Sequence, residues 1–221
     1  MDMQKYLEQD DRVMLVLGAC EQHGYLSLAT DVRIPFRIAD AASKLVGVPV
    51  APAMPFGISS YFLSYPGTIS LRPQTLMQVV RDVVESLYGQ GFRGFLILNG
   101  HGGNMPAQAE LYQLCNERVD LRLQWFTWWT SEHVTKITEK YSIKIFHAGA
   151  GEAFHFTQIA DLPQGEKEPV VSLGLLKADA VRERLGDGVY GGPYQIEDHI
   201  LQEIFDTAVE EVVHLLVNLK G

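Results

Sequence analysis

A chain of 221 residues, 47% hydrophobic and 20% charged, can bury a sizeable core in one domain spanning 1–221 and is too apolar to be disordered. Its formal net charge of -9, without clustered Lys and Arg, excludes the phosphate neutralisation that nucleic-acid binding requires. Its apolar runs are too short to span a bilayer, so the expected partner is a small-molecule substrate, with no nucleic acid and no membrane.

The N-terminal MDMQKYLEQDD is charged and lacks the apolar core of a signal peptide, and both cysteines sit among apolar neighbours. A reduced, cytoplasmic setting is expected. Residues 13–17 form a continuously apolar run, as expected for a strand buried on both faces. A helix is expected over 35–45, a strand over 48–53 and a helix over 73–88. A strand over 94–98, a helix over 105–116, a strand over 121–127 and a closing helix over 200–219 follow. The charged, proline-bounded stretch 162–169 reads as an exposed loop. The glycine-rich 186–193 reads either as a surface turn or as a loop that closes over a pocket. Alternating strands and helices imply an α/β fold, a three-layer α/β/α arrangement with a largely parallel sheet. In such folds ligands bind beyond the carboxyl ends of the strands.

Chemistry is therefore expected in the polar tails of the strands. The stretch GACEQHGYLSLATD, residues 18–31, places Glu21, His23 and Asp31 directly after the first strand. NGHGGN, residues 99–104, leaves His101 as the one strong donor ligand in a turn stripped of side chains, with Gly102 and Gly103 letting backbone approach a substrate. That turn lacks the Lys-Ser/Thr of a P-loop and the GxGxxG order of a dinucleotide site. FHAGAGEAFHF brings His147, Glu152 and His155. Glu152, flanked by Gly151, Ala153 and Phe154, needs a cation or a hydrogen-bond partner. For His155 a ligand role and a plain core or surface role both stand, whereas His133 and His199 read as plain core or surface residues. Cys20 reads as a small buried hydrophobe with no catalytic role. Glu21, His23, Asp31, His101 and Glu152 together supply the nitrogen and oxygen ligands of a two-metal site, with one carboxylate able to bridge. Zn, Mn and Fe all suit such a set. Trp128 and Trp129, with Phe126, are expected to line a substrate pocket, or else to pack in the core or a subunit interface.

EQHG with its later TD, NGHGGN, PGTISL at 66–71, HAGxxE at 147–152 and GVYGGP at 188–193 jointly resemble the creatininase (creatinine amidohydrolase) family from about residue 13 to 193. The resemblance implies an α/β/α fold, two divalent metal ions per chain and hydrolysis of a non-peptide or cyclic amide C–N bond. It also implies a homo-oligomer, often a hexamer. Carried over by motif, Glu21 and His101 hold one ion, His23 and Glu152 the other, and Asp31 bridges them, while His147 moves the proton. Three departures stand out. The segment from Glu21 to Asp31 is one residue shorter than the family's common form and lacks its second histidine. Gly103 stands where creatinine-acting members carry a metal-binding glutamate, so a substrate other than creatinine is expected. Ala150 replaces a common acidic residue. Formamide deformylation of the flavin or deazaflavin kind, cleavage of a peptide cofactor precursor, and a catalytically silent metal-binding subunit are the alternatives.

Overall fold

A computed structural model describes residues 2–170 and 172–221. In chain order it contains α1 (Met3–Leu7), β1 (Arg12–Leu17), α2 (Thr30–Val46), α3 (Pro73–Gly89), β2 (Gly94–Asn99) and α4 (Met105–Glu117). These are followed by β3 (Arg122–Thr127), α5 (Glu132–Lys140), β4 (Glu166–Lys167), α6 (Ala178–Leu185), β5 (Gly192–Pro193) and α7 (Asp198–Asn218). β1, β2 and β3 form a parallel sheet in that order. Its register sets Leu17 opposite Asn99 and Asn99 opposite Thr127, so the three carboxyl ends finish in one row. Among the described residues no helix is long and apolar enough to cross a membrane.

Strand alternation explains the layers. Met14 and Val16 of β1, with Leu96 and Leu98 of β2, point into one core that takes Ile34, Ile38 and Ala42 of α2 and Ile204, Ala208 and Val212 of α7. Val13, Leu15 and Leu17, with Phe95 and Ile97, point the other way, onto Leu76, Val80 and Val84 of α3 and Leu111 and Leu114 of α4. A strand buried on both faces has no polar side to show, which is why 13–17 is apolar without a break. The helices answer with residues three and four apart.

Several expectations are corrected. Residues 48–53 do not form a regular strand. They run beside β1 through isolated parallel bridges, Met14 with Val50 and Leu17 with Met54, because Pro49 and Pro52 have no N–H to give a continuous ladder. α2 begins at Thr30 and carries Pro35 inside it, which places Asp31 in the first helical turn rather than in a loop. Residues 162–169 are not wholly loop, since Glu166 and Lys167 pair antiparallel with Gly192 and Pro193. The glycine-rich 186–193 is no surface turn: Gly188 and Val189 are buried, and Gln22 Nε2 donates to the Asp187 carbonyl at 2.9 Å.

Candidate metal centre

The loop after β1 delivers Glu21 and His23, the first turn of α2 delivers Asp31, and the turn after β2 delivers His101. A one-turn 3-10 helix, Ala150–Glu152, presents Glu152. Its carboxylate accepts from the Ala148 N–H at 2.7 Å, with Ala148 held at φ 58, a conformation non-glycine residues adopt only when their surroundings enforce it. All five are buried. The carboxylate residues are 1% (Glu21), 3% (Asp31) and 7% (Glu152) exposed, and three acids so placed need positive charge close by.

Each nearby imidazole is turned toward them. Nδ1 of His23 lies 3.0 Å from the Glu21 carbonyl, Nε2 of His101 lies 2.8 Å from the Ile58 carbonyl, and Nε2 of His147 lies 2.8 Å from the Gln22 carbonyl. A carbonyl only accepts, so each of these nitrogens carries the hydrogen, and the other nitrogen of each neutral ring is a bare lone pair. Those second nitrogens face carboxylates. Nε2 of His23 is 2.9 Å from Oδ1 of Asp31 and 3.8 Å from Glu152, and Nδ1 of His101 is 2.9 Å from Oδ2 of Asp31 and 3.4 Å from Glu21. Nδ1 of His147 is 3.4 Å from Glu21. Lone pair opposite lone pair is repulsive unless a cation sits between them.

Protons meet part of that demand. Burial disfavours a charged His23, yet Asp31, Glu152 and Glu21 outweigh it and raise the ring to about 10. Burial likewise opposes charging His101, but Glu21 and Asp31 lift it well above its ordinary value. Burial works against an ionised Asp31, and His23 and His101 hold it far below the usual carboxylate range all the same. Burial, reinforced by Asp31, pushes Glu152 up to about 7 against the pull of His23. Protonation does not satisfy the geometry, however. Nε2 of His23, Oδ2 of Asp31 and Oε2 of Glu21 are buried without an aligned hydrogen bond among the described residues. The contacts have hydrogen-bond length but not hydrogen-bond direction, as expected of ligand atoms converging on a shared cation. Three triads meet within 4.8 Å: Glu21–Asp31–His101, His23–Asp31–Glu152 and Glu21–His23–His147. Glu21, His23 and Asp31 each belong to two of them, but only Asp31 turns its two oxygens to different imidazoles, Oδ1 to His23 and Oδ2 to His101, as a bridging carboxylate would. The nitrogen–oxygen donor set fits Zn, Mn or Fe.

A cavity of about 440 Å³ opens beside these groups, with Gly102, Gly103 and Trp129 on its wall. Trp128 is 1% exposed and packs edge-on against Trp129 and Phe154 in the core, so of the tryptophan pair only Trp129 meets the cavity. Phe126 is also core. His155 is exposed beside Asp198 and away from the carboxylates. Burial, helped by Glu21, pushes the Cys20 thiol up, away from thiolate chemistry. The residues that sequence reading overlooked are Ser59, Tyr61, Phe62 and Tyr190. Phe62 stacks on His147 at 4.6 Å. Ser59 is buried on the cavity wall, its hydroxyl without a partner among the described residues. Only Tyr190 lay inside a noticed motif, and the serine and aromatics of 59–62 carry no ligand signature.

The family model described as Creatininase: Creatinine amidohydrolase matches residues 1–216. A creatinine amidohydrolase from Pseudomonas putida is 34% identical over 98 residues, which is 42% of this chain and 38% of that one. A mycofactocin precursor peptide peptidase from Mycolicibacterium smegmatis is 34% identical over 104 residues, 44% of this chain and 42% of that one. A 3-dehydro-scyllo-inosose hydrolase from Thermotoga maritima is 26% identical over 126 residues, 54% and 40% of the two chains. The chain thus spans about two fifths of the length of these curated relatives. In three dimensions a mutant creatininase of Zn–Zn type superposes with a TM-score of 0.78 at 19% identity, covering 99% of this chain and 95% of that one. A creatininase described as an Mn form gives 0.77 at the same identity, covering 99% and 96%. At that identity the likeness is one of fold, and with the near full-length family match it establishes that this chain belongs to the creatininase family.

Proposed function

We propose that the protein is a metal-dependent amidohydrolase that holds two divalent ions, Zn, Mn or Fe, and cleaves a non-peptide or cyclic amide C–N bond in a small molecule other than creatinine. The observation that carries this reading is the set of three imidazoles aimed by backbone carbonyls at three buried carboxylates. Glu21 and His101 would hold one ion, His23 and Glu152 the other, and Asp31 would bridge. Bound ions supply Lewis acidity to the amide carbonyl and ease ionisation of water.

The remaining work falls to the chain. Water adds to the carbonyl carbon, the C–N bond breaks, and the products are a carboxylic acid and an amine. A proton must travel from the water to the departing nitrogen, because an amine leaves poorly unless protonated. Burial and the neighbouring His23 lower His147 to about 4, which keeps the ring neutral near pH 7. Its Nε2 is occupied by the Gln22 carbonyl, so Nδ1 takes that proton and then delivers it. Ser59 offers the substrate a hydroxyl that has no other partner among the described residues, and Trp129 gives it an apolar wall. Against creatinine stands Gly103. A Cβ there would come within 2.0 Å of the Ile58 carbonyl, so no side-chain ligand fits at that position.

The test is elemental analysis of protein purified without chelator, together with turnover of cyclic amides, formamides and short peptides before and after chelation. About two ions per chain and chelator-reversible hydrolysis are expected. Near-zero metal with activity retained in chelator would overturn the reading. Two ions with no turnover of any amide would instead mark a silent metal-binding subunit.

A further inference from the structure

We propose that the substrate of this hydrolase site carries an anionic tail, a carboxylate or a phosphate, which leaves the inner cavity through a collar of Tyr61, Phe146 and Tyr190 and ends at Lys144. The proposal rests on the amidohydrolase reading and extends it to the class of substrate.

Two cavities carry the argument. The inner one, about 440 Å³, is lined by Glu21, Asp31, His101 and Glu152, and an outer one, about 610 Å³, lies against it. Tyr61, Phe146 and Tyr190 line both, so the two are halves of one groove with an aromatic waist. The waist is built rather than incidental. The Tyr61 hydroxyl donates to the Gly174 carbonyl at 2.9 Å, tying the turn that carries it to the outer wall. The Tyr190 N–H donates to the His147 carbonyl at 3.1 Å, and the Tyr190 carbonyl accepts from the Val170 N–H at 2.9 Å. Phe146 packs against Gly192, where an added Cβ would approach its ring to 2.9 Å. An amide head alone would leave the outer cavity unused, and the combined space suits a longer molecule.

Charge says what the far end of that molecule is. The inner cavity is lined by Glu21, Asp31 and Glu152 and, among the described residues, by no Lys or Arg. The ions proposed there would be engaged by the amide head, so a second anion on the substrate has to be met elsewhere. In the outer cavity the walls are mostly apolar, including Val170 and Leu173, and Lys144 is the one Lys or Arg lining either half among the described residues. Its ammonium stands 4.9 Å above the Phe146 ring at the waist, an attractive placement for a cation. No carboxylate pairs with it among the described residues. A linker that crosses an apolar groove toward a single unneutralised cation is complementary when it ends in an anion. Carboxylate and phosphate share that chemistry, and Lys binds either as a point charge.

Hydroxamates that chelate the ions through the head and differ in the tail test this on the metal-loaded full chain by isothermal titration. The set comprises acetohydroxamate, a hydroxamate with an alkyl tail of several carbons, and the same tail ended by carboxylate or by phosphate. Either anionic tail is expected to bind roughly two- to fivefold more tightly than the alkyl tail, the range of an exposed ion pair, and that advantage should shrink as salt rises. Lys144→Met should abolish the ratio and Lys144→Glu should invert it. The terminal group with the larger ratio identifies the source of the anion. Equal affinity of alkyl and anionic tails in the unmodified protein, or a preference that survives Lys144→Met, overturns the proposal. Failure of acetohydroxamate itself to bind the metal-loaded protein overturns the hydrolase reading, and the tail with it.

Discussion

His23 and Asp31 meet at 2.9 Å between Nε2 and Oδ1, both buried, with His23 lacking an aligned hydrogen bond at that nitrogen among the described residues. Asp31 repeats the relationship with His101 through its other oxygen. Asp31→Ala should therefore remove both ions, whereas Glu152→Ala, which alters one triad only, should remove mainly one. Metal content of the purified variants, measured per folded chain, checks this. Equal losses would argue against the bridging role.

His147 stacks on Phe62 and faces His23 at 4.3 Å between ring centres, with its Nδ1 3.4 Å from Glu21, and we assign this ring the proton rather than an ion. His147→Ala is expected to keep both ions while turnover falls by about 10² to 10⁴, with a modest change in KM. Loss of an ion from the variant would make His147 a ligand, as its triad with Glu21 and His23 permits.

The two glycines after His101 should behave differently. An added Cβ at Gly102 meets nothing within 4 Å, whereas one at Gly103 would lie 2.0 Å from the Ile58 carbonyl and 2.5 Å from Nε2 of His101. Gly103→Ala disturbs the bond that aims His101, and metal affinity should fall roughly 10- to 100-fold. Gly102→Ala should leave affinity close to that of the unmodified protein. Competition with a chelator of known affinity measures both.

Away from the site, Nε of Arg12 donates to Asp10 at 2.8 Å, and Nη1 donates to the Leu216 carbonyl at 2.6 Å, stitching β1 to α7. Burial alone would raise the Asp10 carboxyl, but its bonds to Arg12 outweigh that and hold it below its ordinary value. A carboxyl depressed in the folded state contributes stability that is present above its unfolded value and is lost as pH falls through the folded one. Asp10→Asn should cost about 2 to 3 kcal/mol at pH 7, and the gap should close in strong acid. Denaturant titrations at the two pH values test it, and a gap that persists in acid counts against the ion pair as its cause.

The layers were readable because burial on both faces leaves an unbroken apolar run in β1 and β2, while one-sided burial leaves a helical period in α3, α4 and α7. Proline hid the rest. Pro35 looked like a helix start, yet α2 begins upstream. Pro49 and Pro52 sit in a run whose composition favours a strand and whose missing N–H groups prevent one. The ligand-type residues were legible because acids and imidazoles beside glycine in an apolar setting have few structural uses. The cavity wall was not. Trp128 and Trp129 are adjacent and equally aromatic, and only the turn after β3 decides which enters the core. Ser59 and Tyr61 gain their places from loops that meet in space alone.

The carbonyls of Glu21, Gln22 and Ile58 fix three imidazole rings, two of them within the very loop that supplies a carboxylate. Those bonds are made by the chain itself, so the aim of the rings is set by folding. Ion loading then resembles a key entering a cut lock rather than a chain wrapping round a bead. Stripping the ions should leave the rings aimed but three buried carboxylates poorly compensated, so the stripped protein should be less stable than any form refilled with a divalent ion. Differences in turnover among those forms would report the chemistry of each ion, undisturbed by changes in the scaffold.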